Sequence, residues 1–257
     1  MFTYIDTKEN LSFLNQELLY KTIVGVDTEF RRTTKNNMKL ALLQINDGDE
    51  IYLVDTILID DPKEDCNFLF SNSVLKVLHS CKEDLEAIYS WANEQMTNIF
   101  DTQLANSFLQ DDYSISYQDL VERRIGVCLE KKETRSNWLK RPLSNDQLKY
   151  AALDVEYLIY LYDQQIIELQ NSNKLDWLNQ DIDLMVKNSF NPGSLITESN
   201  RTLSKGQENE LLTKLNQIVE DIAEREKVNR TLFFSKKNQR DFLRLALTEG
   251  LEYACRE

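Results

Sequence analysis

The chain has 257 residues, 42% of them hydrophobic, and a formal net charge of −13 at pH 7. This length and apolar content allow one large domain, or a domain with an appendage, around a sizeable core. The acidic balance disfavours a passive nucleic-acid binder, which normally has a basic surface. It does not disfavour a metal-dependent nuclease, because bound cations neutralise clustered carboxylates and contact phosphate themselves.

Cysteine usage indicates a reducing compartment, and hydropathy indicates a soluble chain. The cysteines stand at positions 66, 81, 128 and 255 with no paired spacing, which argues against a disulfide framework or a zinc site. The N-terminus lacks a basic region followed by an apolar one, and no apolar run approaches the roughly 20 residues that span a bilayer. We therefore predict a soluble cytoplasmic protein with no membrane partner.

Hydrophobic periodicity predicts strands mixed with helices in the N-terminal half. The predicted strands are 22–28, 39–46, 50–54, 74–79 and 99–101, and the predicted helices are 10–20, 102–110 and 117–125. The turn-forming stretch Asn46-Asp-Gly-Asp49 predicts a hairpin between the second and third strands. Ser80 through Glu83 has the pattern of a capping box, which would begin a helix and place Asp84 in its first turn.

A long helix is predicted from residue 144 to about residue 170. Ser144 and Gln147 form a capping-box pattern, with Leu143 and Leu148 at the staple positions. A segment with Pro and Gly follows, and then two further helices at about 207–228 and 236–248. The predicted organisation is an α/β domain (1–188), a linker (189–206) and a small helical segment (207–257).

Paired carboxylates follow the first predicted strand. Asp27 and Glu29 stand two residues apart at the end of the apolar run 22–26, so in extended chain both side chains point to one face. Two acids there would make a poor core but a good start to a divalent-metal site, because hard cations take oxygen ligands. The same spacing recurs at 84–86 and 154–156, but in helical patterns, where it splays the side chains apart.

Two predicted helices supply further acids. Tyr150 and Asp154 are four residues apart and share one helix face, and Asp84 stands at a strand-to-helix junction. If four acids converge, burying them unpaired would cost several kcal/mol each. Two divalent ions roughly 3.5–4 Å apart would resolve this repulsion and form a centre for phosphoryl transfer.

Five stretches of the chain together carry a resemblance to a known family. They are Val26-Asp-Thr-Glu-Phe30, Leu78-His-Ser-Cys-Lys-Glu-Asp-Leu-Glu86, Phe100-Asp-Thr-Gln103, Arg135-Ser-Asn-Trp-Leu-Lys-Arg-Pro-Leu143 and Tyr150-Ala-Ala-Leu-Asp-Val155. In this order they resemble ribonuclease D, a family of DEDDy 3′–5′ exonucleases with the ribonuclease H-like fold, over about residues 1–190. The chain departs from the family at Lys35-Asn-Asn-Met38, where several members have an aromatic–proline stretch, and at Ser136-Asn137, in place of a more usual Thr-Asp.

The resemblance implies a fold and a metal site. The fold is α/β, a ribonuclease H-like exonuclease domain with a mixed sheet, followed by a small all-α segment similar to part of an HRDC domain. Asp27, Glu29, Asp84 and Asp154 carry over as ligands of two divalent cations, Mg²⁺ or Mn²⁺. Asp27 would bridge both ions, Glu29 and Asp154 would complete the nucleophile-side ion, and Asp84 would hold the leaving-group ion. Tyr150 would orient the attacking water.

The resemblance also implies an activity and a partner. The activity is 3′–5′ exoribonuclease trimming of RNA 3′ ends, those of tRNA precursors in particular, with release of nucleoside 5′-monophosphates. The candidate RNA contacts are Phe30, Arg135, Trp138 and Arg141, each of which also has a plain structural alternative. His79, the sole histidine, is predicted to have a structural role at a strand end. Two other functions stay open: a DNA exonuclease of the same fold, and a non-catalytic nucleic-acid-binding module, which intact carboxylates disfavour.

Overall fold

The computed structural model describes residues 1–34, 37–60, 62–109, 114–129, 136–190 and 205–255. The strands are β1 (Phe2–Ile5), β2 (Ile23–Thr34), β3 (Asn37–Asn46), β4 (Ile51–Val54), β5 (Leu75–Leu78) and β6 (Ile99–Asp101). The helices are α1 (Lys8–Leu18), α2 (Lys82–Ala92), α3 (Thr102–Leu109), α4 (Tyr117–Ile125), α5 (Asn145–Glu156), α6 (Leu158–Asn171), α7 (Leu175–Phe190), α8 (Lys205–Arg225), α9 (Arg230–Phe234), α10 (Lys236–Glu249) and α11 (Leu251–Ala254). None of the helices in the described ranges combines the length and apolar character that a membrane crossing requires.

The six strands form one mixed sheet in the order β1-β4-β3-β2-β5-β6. β3 runs antiparallel to both of its neighbours, β2 and β4, whereas the pairs β1–β4, β2–β5 and β5–β6 are parallel. The mixed sheet and the β3–β4 hairpin are therefore confirmed. Because β2, β5 and β6 run in the same direction, the ends of β5 and β6 lie beside the middle of β2, just after Gly25, its last residue paired with β5.

Helices cover the centre of the sheet on both faces. Consecutive residues of β3, from Leu40 to Leu43, are all buried, which is the pattern of a strand with a covered face on each side. α2 and α5 both pack against β3, while α6 packs against β2 and β5. This position lets α2 and α5 present side chains beside the middle of β2.

The predicted helix 144–170 consists of two helices, α5 and α6. The predicted capping box is present, since the Ser144 hydroxyl accepts from the Gln147 N–H at 3.2 Å and the Gln147 side chain accepts from the Ser144 N–H at 2.9 Å. The break falls at Tyr157, whose N–H donates to the Tyr117 hydroxyl at 3.0 Å. That hydroxyl in turn donates to the Leu153 carbonyl at 3.2 Å. A tertiary hydrogen bond thus ends α5, which local sequence could not indicate.

Close approach of β2 and the α5–α6 junction depends on Gly25. A Cβ atom at this position would lie 3.1 Å from the Leu158 Cβ and 3.3 Å from the Val155 carbonyl oxygen, closer than most real Cβ contacts. The Asn46 side chain also donates to the Val155 and Glu156 carbonyls, both at 3.1 Å, and so satisfies the end of α5. These contacts hold the last turn of α5 directly over β2.

The chain divides into two compact units, 1–105 with 115–191 and 106–114 with 192–257. In the second unit α8 packs against α9 and α10 and buries Val219, Ala223 and Val228. The predicted helices 207–228 and 236–248 correspond to α8 and α10, and most of the predicted linker lies outside the described residues. β1 and α7 were not predicted, and β2 continues to Thr34, beyond its predicted end.

Candidate active site

The middle of β2 carries two of the predicted acids. Asp27 is paired with Gln44 of β3 and Glu29 with Leu42, so the two carboxylates lie on the same face of the strand. The ladder register shifts immediately after Glu29, between Glu29 and Phe30. The strand therefore keeps regular pairing through both acids, and this pairing fixes their separation.

Asp154 joins Asp27 and Glu29 from the last turn of α5. Carboxylate oxygens of the three residues all lie within 4.8 Å of one another. The geometry results from the close approach at Gly25 and from the Asn46 contacts to the end of α5. The structure therefore brings three of the four predicted ligands into one cluster, which we call the three-acid cluster.

Asp84 lies beside the three-acid cluster without belonging to it. It stands in the first turn of α2 and is 6% exposed, and its carboxylate accepts a hydrogen bond from the Thr28 hydroxyl. Thr28 lies between Asp27 and Glu29, so this bond ties α2 to the same segment of β2. The negative charge of Asp84 raises the pKa values of both Asp27 and Glu29.

The start of α2 differs from the prediction. Ser80 is not an N-cap: the cap position belongs to Cys81 and has no side-chain hydrogen bond, so the predicted capping box is wrong. Asp101, at the end of β6, replaces it. Its carboxylate accepts from the backbone N–H groups of Ser80, Cys81, Gln103 and Leu104 at 2.9–3.0 Å. Ser80 has φ +61°, a left-handed backbone that only such fixed partners make stable in a non-glycine residue.

Burial raises the pKa values of all four acids, and mutual repulsion raises those of Asp27 and Glu29 further. Burial raises the pKa of Asp27 well above its usual range, and the charges of Asp84, Asp154 and Glu29 raise it further. Burial, with the charge of Asp154, raises the pKa of Glu29 to about 9. Burial also raises the pKa values of Asp84 and Asp154 to about 7. Such uncompensated oxygen donors have the chemistry that a hard divalent cation requires, so the residues fit a metal site.

Tyr150 lies over the three-acid cluster, one helical turn before Asp154. Its hydroxyl forms a hydrogen bond with the Asp154 carboxylate. Burial raises the pKa of the Tyr150 phenol, and the charges of Asp154 and Glu29 add to the effect, so the phenol stays neutral and keeps its proton as a donor. The Trp138 ring packs at a tilt against it, with centroids 6.1 Å apart.

A pocket of about 360 Å³ lies between the second half of β2 and the loop that precedes α5, and one of its lining residues, Trp138, packs against Tyr150. The residues that line it are Phe30, Arg31, Ser136, Asn137, Trp138 and Leu139. Trp138 is 5% exposed, and its buried indole N–H has no hydrogen-bond partner among the described residues. Two of the predicted RNA contacts, Phe30 and Trp138, therefore share one cavity beside Tyr150.

Arg141 does not support its predicted role as an RNA contact. Its guanidinium is hydrogen-bonded to the buried carboxylate of Asp55 and to three backbone carbonyls, which uses all five of its N–H donors. These bonds give the side chain a structural role, and its contact with RNA stays a prediction that they do not favour. Arg135 lies outside the described residues.

His79 has the structural role that its sequence position predicts. One ring nitrogen lies 2.9 Å from the Thr102 hydroxyl and the other lies 3.0 Å from the Ile115 carbonyl. Burial lowers the pKa of His79. With both nitrogens engaged, the ring ties the end of β5 to neighbouring segments and leaves no nitrogen for a metal.

Comparison with known proteins agrees with the fold. The family described as 3′-5′ exonuclease matches residues 2–170. Ribonuclease D of Shewanella sp. (strain ANA-3) is 34% identical over 187 residues, covering 73% of this chain and 48% of that relative. Ribonuclease D of Escherichia coli (strain K12) is 33% identical over 182 residues, covering 71% of this chain and 48% of that relative. The chain thus spans about half the length of these curated relatives.

Solved structures show the same fold. Escherichia coli RNase D, described as an exoribonuclease involved in structured RNA processing, superposes with a TM-score of 0.71 at 25% identity, covering 99% of this chain and 69% of that one. Brucella melitensis NrnC with bound Mg²⁺ superposes with a TM-score of 0.62 at 19% identity, covering 77% of this chain and 98% of that one. This match shows the fold alone.

The mixed sheet with its three-acid cluster, formed by the middle of β2 and the last turn of α5, defines the class as an exonuclease domain with a candidate metal centre. The chain belongs to the 3′-5′ exonuclease family and, within it, to the ribonuclease D family.

Proposed function

We propose that this chain is a metal-dependent 3′–5′ exoribonuclease that shortens RNA from its 3′ end and releases nucleoside 5′-monophosphates. The observation that carries the proposal is the three-acid cluster, formed by Asp27, Glu29 and Asp154 within 4.8 Å, with Asp84 beside it. A pocket of nucleotide size is lined by Trp138, which packs against Tyr150. Family membership supports the direction of attack, and the curated relatives named ribonuclease D support RNA as the polymer.

The four acids are proposed to hold two divalent cations, Mg²⁺ or Mn²⁺. The three-acid cluster offers one set of oxygens, and Asp84, linked to it through Thr28, offers a ligand for a second position. When bound, divalent cations would supply Lewis-acid activation and neutralise charge on the scissile phosphate. Because the pKa of Glu29 is raised to about 9 and that of Asp27 is also raised, deprotonation of these two ligands is coupled to metal binding.

Tyr150 is proposed to orient the attacking water. The phenol keeps its proton, lies on the face of α5 that carries Asp154, and already forms a hydrogen bond with that carboxylate. A neutral hydroxyl at this place can hold a water by one directed hydrogen bond. It is a weaker metal ligand than the neighbouring carboxylates, so positioning rather than ligation is its proposed role.

The pocket is proposed to receive the 3′-terminal nucleotide. Phe30 and Trp138 provide apolar ring surface on its two sides, and aromatic surface is what unstacked bases bind. Arg31 adds a cation at the pocket wall. Bringing a nucleotide here would place its phosphodiester next to Tyr150 and the acids.

The RNA partner is proposed to be structured, with tRNA precursors as the first candidates. The support is the description of Escherichia coli RNase D as a processor of structured RNA. In the second unit, Lys236, Lys237 and Arg240 form an exposed basic group on α10 of an otherwise acidic chain. This group, here called the α10 basic patch, is proposed to contact the body of the RNA.

Incubation of the chain with a structured RNA carrying a 3′ tail, in Mg²⁺, Mn²⁺ or EDTA, tests the proposal. We expect the tail to shorten stepwise with 5′-monophosphate products, only when a metal is present. Asp27→Asn should abolish the reaction while the protein stays folded, and Asp183→Asn on an exposed position of α7 is the matched control.

Metal-independent binding without shortening would instead indicate a non-catalytic module. Preference for a matched DNA strand would indicate a DNA exonuclease. Full activity in a folded Asp27→Asn protein would overturn the proposed site.

A further inference from the structure

A buried ion pair joins the loop that precedes α5 to the central sheet. Asp55, which directly follows β4, is fully buried, and its carboxylate accepts two hydrogen bonds from Arg141, from Nε at 2.5 Å and from Nη2 at 2.7 Å. The Tyr4 hydroxyl of β1 donates to the same carboxylate at 2.5 Å. Burial by itself would raise the pKa of Asp55, but the bonds from Arg141 and Tyr4 hold it below its ordinary value, so the pair stays charged.

The remaining donors of Arg141 extend to two further places. Nη2 donates to the Ala41 carbonyl of β3 at 2.6 Å. Nη1 donates to the carbonyls of Trp138 at 2.6 Å and Lys140 at 3.1 Å. One guanidinium therefore connects β3, the end of β4 and the loop backbone at Trp138. The planar guanidinium fixes these directions together, which the flexible single ammonium of a lysine cannot do.

The loop held in this way forms one wall of the nucleotide-sized pocket. Residues 136–139 line the pocket on the loop side, while Phe30 and Arg31 line it from β2. Trp138 is both a lining residue and the residue whose carbonyl Arg141 holds. A shift of this backbone would change the distance between the two walls, whereas the acids are held by β2, α2 and α5 and would stay in place.

We infer that Asp55 and Arg141 are positioning residues for substrate binding: their ion pair sets the width of the pocket that receives the terminal nucleotide. The inference rests on the proposed function only in the identity of the ligand as a nucleotide. It assigns to the pair an effect on substrate affinity, separate from the chemistry at the acids.

Arg141→Lys tests the inference because it keeps the charge and removes the simultaneous contacts. We expect KM for a short single-stranded RNA to rise about tenfold, which corresponds to about 1.4 kcal/mol. kcat and the stabilisation of the protein by Mg²⁺ should change little. Arg124→Lys is the matched control, since Arg124 forms a two-bond pair with Glu168 at 2.6 and 3.3 Å, between α4 and α6.

Nucleotide binding provides a readout that needs no catalysis. Adenosine 5′-monophosphate titrated in Mg²⁺, with tryptophan fluorescence as the signal, should bind about tenfold more weakly to Arg141→Lys than to wild type or to Arg124→Lys. Asp55→Asn, which keeps the shape of the carboxylate, should weaken binding in the same direction. It serves as the second variant if Arg141→Lys does not fold.

The outcomes separate the two proposals. If wild type binds the monophosphate but hydrolyses no RNA, the proposed function fails, and weaker binding by Arg141→Lys still supports the positioning pair. Three results would overturn the positioning role of the pair. They are equal nucleotide affinity in folded wild type and variants, no nucleotide binding by wild type, and a loss confined to kcat.

Discussion

The acids of the site differ from acids in water because the fold buries them without a cation. Their raised pKa values mean that the folded protein keeps protons that the unfolded chain releases. Stability from this source is complete below the ordinary carboxyl pKa near 4 and is lost as pH rises toward the folded values of about 7 for Asp154 and about 9 for Glu29.

We therefore expect the melting temperature of the protein in EDTA to fall between pH 5 and pH 9. Mg²⁺ binds the deprotonated ligands, so the difference in melting temperature between Mg²⁺ and EDTA should grow over the same range. Thermal denaturation at matched ionic strength measures both trends. Glu29→Gln should flatten the fall in EDTA, and a Glu29→Gln protein with the wild-type slope would contradict this assignment.

The role of a single hydroxyl can be tested at Tyr150. Tyr150→Phe keeps the ring that packs against Trp138 and removes only the hydroxyl that contacts Asp154. We expect turnover to fall by about 10²-fold, the scale of one positioned catalytic group, with the Mg²⁺ concentration for half-maximal stabilisation almost unchanged. Loss of metal binding together with turnover would make Tyr150 a ligand instead.

Among the elements, the starts of α2 and α3 depend on one carboxylate. Asp101 accepts four backbone N–H groups, and two of them belong to the segment that leads into α2 and Asp84. Asp101→Asn replaces an acceptor oxygen with a donor, so at least one N–H loses its partner. We expect a loss of about 2 kcal/mol or more in the free energy of unfolding, the range for hydrogen bonds to a charged group.

The same Asp101→Asn change should weaken stabilisation by Mg²⁺, because Asp84 moves with the start of α2. Denaturant unfolding with and without Mg²⁺ measures both effects. Asp176→Asn is the control, since Asp176 is an exposed acid in the first turn of α7. Equal losses for the two variants would exclude a special role for Asp101.

The elements also show why the sequence predicts some features and not others. The acids Asp27, Glu29 and Asp154 are predictable because strand and helix periodicities decide the faces that local residues share. The Asp101 bond to Cys81 spans 20 residues and the Asp55–Arg141 pair spans 86, so no local pattern contains them. Asp101 lies in a stretch that carries the family resemblance, which was the one available signal for it.

Periodicity also failed where tertiary contacts override it. The pattern from 144 to 170 is continuously helical, yet the Tyr117 hydroxyl captures the Tyr157 N–H and divides the helix. Arg141 was predicted as an RNA contact because a basic residue near acidic motifs suits phosphate. Its buried partner Asp55 does not favour that interpretation, and only the three-dimensional structure pairs the two residues.

At the scale of the whole molecule, the proposed function requires a chain of net charge −13 to hold a polyanion. Divalent cations bound by the acids can neutralise the phosphates at the RNA end, but the phosphates of the RNA body need a basic protein surface. The α10 basic patch offers three exposed cations, Lys236, Lys237 and Arg240, in the second unit. By contrast, the nearby cations Arg230 and Arg244 form ion pairs with Glu220 and Glu208.

Neutralising the α10 basic patch, by replacing Lys236, Lys237 and Arg240 with Gln, should weaken binding of a structured RNA and flatten its salt dependence, because fewer phosphates are neutralised. Hydrolysis of a short single strand should persist, since the first unit holds the acids and the pocket. Lys214→Gln on α8, where Lys214 pairs with Glu210 at 2.8 Å, is the control. Filter binding at several salt concentrations, together with melting temperatures, separates this role from a structural one. If the variant loses binding of structured RNA and hydrolysis of the short strand to the same extent, and its melting temperature is lowered, the patch stabilises the fold and does not bind the RNA.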